Sequence, residues 1–165
     1  MQVGLRKIKM SRWVDRPSDL SPGDATADSV TNLQTSKNTL SVFFLPSDDA
    51  TMLRRVATAM AFDSDSLEHF EYYLFPIDEF ASLGLKTVAV AGTTSDGVVN
   101  EWHRDIVALT GTNLVSIAHF LGERTAARLL KLDIAKEAIV GWNERRYSRP
   151  PKCLKDLNKL GFPQI

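Results

Sequence analysis

Glu101, His103 and Asp105 are the residues here whose types could move a proton, and they lie close together in the chain. A neutral imidazole can act as a general base or ligate a metal, and a neighbouring carboxylate can orient it. The spacing around them predicts a helix, with Trp102, Ile106 and Leu109 on one apolar stripe that Gly111 ends. Residues two apart on a helix face away from each other, so these three are not expected to converge by themselves. A place in the first helical turn would favour the neutral form of His103. The structural alternative is a His at the rim of the core, beside Trp102 and Val107 and bonded to backbone.

His103-Arg104-Asp105 also copies the triplet that opens a protein-kinase catalytic loop. That loop needs a later Asn for the metal and a Gly-rich loop over the phosphates. Thr110 stands at the Asn position, and no Gly-rich loop or strand lysine precedes the triplet, so kinase chemistry is excluded. His69 and His119 are distant in sequence and no H-E-x-x-H pair occurs, so no metal is expected. Gly92 to Gly97 links a strand to a helix, a place where free backbone N–H groups can hold an anion. The loop lacks the P-loop lysine, and Asp96 would repel phosphate, so a plain connection is the simpler expectation. Cys153 is the only cysteine and sits beside Leu154, as a packing residue does.

Trp142, Arg145, Arg146, Tyr147 and Arg149 form the strongest candidate binding segment. Mixed aromatic and basic side chains stack on flat groups and pair with carboxylates or phosphates. Pro150-Pro151 then breaks the chain before a short Leu-striped helix carrying Leu154, Leu157 and Leu160, and residues 150–165 read as a docking tail or a segment packed on its own sheet.

The run from Ala27 to Val42 resembles the opening of small uncharacterised bacterial proteins. Asn100-Glu101-Trp102-His103-Arg104-Asp105 is similar to a second stretch of theirs. The resemblance implies a bacterial origin and no chemistry.

The elements that would position these residues follow from the pattern. Val3, Leu5 and Ile8 predict a strand, Pro17 to Gly23 a loop, and Asp24 the cap of a short helix with Val30 and Leu33. Thr35 to Asn38 reads as a turn. Leu40–Leu45 and Phe70–Phe75 are expected as interior strands and Thr87–Ala91 as a third. Asp49 to Ala61 reads as a capped amphipathic helix, and Asp78 to Leu83 as a short one. The remainder reads as helix, including one from Thr125 to Arg145. The expected fold is α+β, with a small, mainly N-terminal sheet of three to four strands packed against a helical C-terminal half. A chain of 165 residues fits a single domain, 1–165.

The formal net charge is zero, which removes the simple case for a nucleic-acid binder. The charges are unevenly spread, however. Asp63, Asp65, Glu68, Glu71, Asp78 and Glu79 follow one another without a lysine or arginine, and the basic residues gather near both ends. If the fold keeps them apart, the surface is dipolar and can steer a partner of complementary charge. A lone cysteine, no apolar leader and no long apolar stretch point to a cytoplasmic protein without a membrane anchor. No complete catalytic set is present, and no cofactor is called for. The leading expectation is a non-catalytic accessory or regulatory subunit that binds another protein. The alternatives are a small enzyme around His103 and the Gly92–Gly97 loop, and nucleic-acid binding through the basic C-terminal segment.

Overall fold

A computed structural model describes residues 2–13, 25–33 and 36–160. The expected loop at 17–23, the Asp24 cap and Thr35 lie outside the described residues. The elements in order are β1 (Val3–Ile8), α1 (Ala27–Asn32), β2 (Leu40–Leu45), α2 (Ala50–Phe62), β3 (Phe70–Pro76), α3 (Ile77–Ala81) and β4 (Thr87–Ala89). They continue as α4 (Gly97–Trp102), β5 (His103–Ile106), α5 (Gly111–Gly122), β6 (Ala127–Leu129), α6 (Lys131–Asn143) and α7 (Leu154–Lys159).

The chain divides into two compact units. The first comprises Met1–Ser47, Glu71–Val90 and His103–Ala127. The second comprises Asp48–Phe70, Ala91–Trp102 and Arg128–Ile165.

An α+β class is what forms, but the sheet is larger than expected and does not stop at the N-terminal half. Its order is β4-β5-β2-β1-β3-β6, six strands in place of three to four. The pairs β1–β2, β1–β3, β2–β5 and β4–β5 are all antiparallel. The two additional strands, β5 and β6, both arise where the sequence reads as helix. The apolar residues Trp102, Ile106 and Leu109 have helical spacing. Pairing of Phe43 with His103 and of Leu40 with Ile106 nonetheless holds 103–106 extended, because a ladder partner outweighs a short local periodicity. Likewise the helix expected from Thr125 to Arg145 is shorter, with β6 occupying its first part and α6 starting only at Lys131.

The first unit builds its core on one face of the sheet. Ile8, Leu40, Val42, Tyr73 and Ile106 project there and pack with Leu33 after α1, and with Ile117, Ala118 and Leu121 of α5. Thr110 caps α5, accepting from the Asn113 amide while Asn113 accepts from the Thr110 N–H. Gly4 is required in β1, since a Cβ there would sit 2.0 Å from the Phe75 ring.

The second unit is built on α2 and α6. Asp49 caps α2 by accepting from the Thr51 amide at 2.7 Å. Phe62 at its end stacks on Tyr147 with centroids 4.0 Å apart, and on Trp142 at 6.1 Å. Described residues of the tail pack into the same unit, where Cys153 and Leu157 are buried and Leu67 N–H donates to Asp156. Among the described residues no helix is long and apolar enough to cross a membrane.

Candidate binding cavity at the end of helix α6

Helix α6 buries Ile134, Ala135, Ala138 and Gly141, one side of the helix. Gly141 is small for a reason, since a Cβ there would lie 2.6 Å from the Tyr147 ring. Beyond Asn143 the helix ends in a paired C-terminal turn. The Arg146 N–H donates to Gly141 O and the Arg145 N–H to Trp142 O, both at 2.9 Å. This is the Schellman arrangement, whose reversing residue sits in the left-handed region and is usually glycine. Here it is Arg145, with φ of 56°. Its Cβ makes that conformation costly by about 1 kcal/mol or more.

The turn shapes a cavity of about 320 Å³ lined by Trp142, Asn143, Arg145 and Tyr147. That volume lies at the lower end of small-ligand pockets. Its walls combine a flat indole, an amide and a guanidinium. Tyr147 adds a phenol whose hydroxyl is buried and has no hydrogen-bond partner among the described residues. Burial drives the Tyr147 phenol well above its ordinary pKa, so it stays a neutral donor.

Of the five residues expected to bind, three are therefore at the cavity and two are engaged elsewhere. Arg146 Nη2 lies 2.8 Å from Glu137, and Arg146 Nε lies 2.9 Å from Glu144. Burial works against the Arg146 charge, but its bond to Glu137 and the nearby carboxylates hold its pKa above the ordinary value. Arg149 Nε donates to Asp63 Oδ1 at 2.9 Å, and its Nη2 donates to the Thr93 carbonyl. Arg145 is exposed and makes no ion pair among the described residues.

The Asp63–Arg149 pair also corrects the picture of segregated charge. Asp63 of the acidic run and Arg149 of the basic tail are not kept apart but pair directly.

The Gly92–Gly97 loop uses its own N–H groups. Thr94 N–H donates to Asn100 Oδ1 at 2.9 Å and Ser95 N–H to Asp63 Oδ2 at 2.7 Å. Asp96, fully buried, accepts from the Val98 amide at 3.0 Å and from the Arg55 Nε at 2.7 Å. The chain's own carboxylates thus fill the place an anion would take.

His103 and Asp105 converge after all, because they lie two apart on a strand and share a face. His103 Nε2 is 3.6 Å from Asp105 Oδ1, which accepts from Ser41 Oγ at 3.1 Å. A carbonyl oxygen only accepts, so His103 Nδ1, 2.9 Å from Val90 O, carries a proton. Glu101 is not on this strand; it lies on α4, in the second unit. No group of three or more metal-ligating side chains occurs among the described residues.

Sequence reasoning missed Asn143 as a lining residue and Ser41 as the partner of Asp105. Only the register of β2 against β5 could have found Ser41. No protein-family model matches the chain, and neither does any curated protein or solved structure.

Proposed function

We propose that the chain is a non-catalytic accessory or regulatory subunit that recognises another protein through the cavity at the end of α6. The observation that carries this reading is Arg145, an arginine held in a backbone conformation that glycine adopts more cheaply. Strain of this kind persists where the surrounding structure enforces it and clusters at binding sites. Its guanidinium is exposed beside the half-buried indole of Trp142, a combination suited to a carboxylate next to a flat or apolar group. The occupant is an acidic segment of the partner. Arg146 and Arg149 are tied to carboxylates, which takes two of the segment's three arginines away from a nucleic-acid backbone. The buried thiol Cys153, alone in the sequence, fits action in a reducing cytoplasm.

A photo-crosslinking residue placed at Asn143 tests this reading directly. One discrete protein adduct is expected in cells, absent when the crosslinker stands at exposed Ser82. Equal adducts at both positions, or none at Asn143, would defeat it.

A further inference from the structure

Among the described residues, the first unit carries a guanidinium that no counter-charge accounts for. Arg6 Nη1 donates to the Ser41 carbonyl at 2.7 Å, but its Nε is buried without an acceptor among the described residues. Burial alone lowers the Arg6 pKa, to about 10, with no carboxylate acting in the other direction. Charges taken out of water are almost always paired, so a lone one points to a missing anion. The residue as a whole remains partly exposed, which leaves a small ion a way in.

The sheet places a second arginine beside it. Arg6 pairs with Tyr73, and Val42 pairs with Arg104. Leu5 pairs with Phe43, so Arg6 stands next to Val42. Tyr73, Arg6, Val42 and Arg104 therefore form one row on one face, across β3, β1, β2 and β5. The two arginine Cα atoms are two strand spacings apart, roughly 10 Å, within the combined reach of both side chains. Arg104 Nη1 bonds the His103 carbonyl, so its fork is held near the sheet. Glu71 is the acidic side chain on the same face, two positions along β3 from Tyr73. Its carboxylate accepts from the Met10 N–H at 2.6 Å.

We infer that Arg6 and Arg104 form a site for a small oxyanion, a phosphate or a carboxylate group, on the core-bearing face of this sheet. The planar fork of arginine matches either group through paired N–H donors. The site is separate from the α6 cavity and does not depend on the function proposed for it.

The test is a titration of isotope-labelled protein with inorganic phosphate, and separately with acetate, at constant ionic strength. The Arg6 Nε–H resonance is followed in proton–nitrogen correlation spectra. A saturable shift is expected, and the anion that produces it identifies the group the site takes. A companion Arg6→Met variant should bind that anion roughly tenfold more weakly or worse, as loss of a charge-assisted bond requires. A resonance that moves with neither anion overturns the inference, and so does an Arg6→Met variant that responds like the wild type. If that variant fails to fold, the wild-type titration decides alone.

Discussion

The Arg149 Nη2 lies 2.8 Å from Asp63 Oδ1, so the basic tail closes onto the end of α2 across a wide gap in sequence. Asp63 is the more deeply placed partner, with its side chain 17% exposed against 50% for Arg149. Its second oxygen takes the Ser95 N–H, so one carboxylate ties together α2, the Gly92–Gly97 loop and the tail.

That geometry predicts unequal costs for the two truncations. Arg149→Ala removes a half-exposed, screened ion pair and costs about 0.5–1 kcal/mol. Asp63→Ala also strands the Ser95 amide and costs about 1–3 kcal/mol more. Urea unfolding of both single variants and the double variant checks this, and equal costs for the two singles would contradict it.

Asp96 is a buried charge in the second unit. It is fully buried, receives Arg55 Nε at 2.7 Å and Nη2 at 2.9 Å, and caps α4. Asp96→Ala leaves the Arg55 guanidinium without its carboxylate and frees the α4 amides, so a loss of about 3–5 kcal/mol is expected. A denaturation midpoint unchanged by Asp96→Ala would show that the pair does not hold the loop.

Tyr147→Phe should behave in the opposite way. Its hydroxyl is buried without a partner among the described residues, so removing it is neutral or stabilises by up to about 1 kcal/mol at neutral pH.

The alkaline response follows from the same burial, which raises Tyr147 above an ordinary phenol value of 10.0 and Cys153 above a thiol value of 9.0. Above those values the unfolded chain releases protons that the folded chain keeps. The folded state then binds more protons, and stability falls as pH rises. Urea midpoints measured from about pH 8 to about pH 11 should therefore drop for the wild type and drop less for Tyr147→Phe. Parallel curves would refute the assignment.

Much of the fold was readable because local and tertiary signals agreed. β1, β2 and β3 show apolar runs that end up paired on both sides, and Asp49 announces α2 by its capping chemistry. β5 was not readable. Only Ile106 is fully buried in it, and its extended form comes from pairing with Leu40–Phe43, which no local window contains. That single misreading also hid the approach of His103 to Asp105, since residues two apart diverge on a helix and align on a strand. The pairing of Asp63 with Arg149 was hidden for a related reason, because sequence order says nothing of that contact. The cavity was partly legible from residue types at Trp142, Arg145 and Tyr147. The left-handed turn was not, because arginine gives no sign of a position where glycine is the usual marker.

Arg145 is the residue at which recognition and stability separate. Arg145→Gly relieves the turn and should raise the urea-derived stability by about 1 kcal/mol, so loss of folding cannot explain a loss of binding. The decisive measurement is the yield of the Asn143 crosslinked adduct in that variant. A fall of roughly tenfold or more is predicted, as for a removed charge-assisted contact. An adduct formed at the wild-type yield by the stabilised variant would contradict the claim that the cavity at the end of α6 recognises its partner through Arg145.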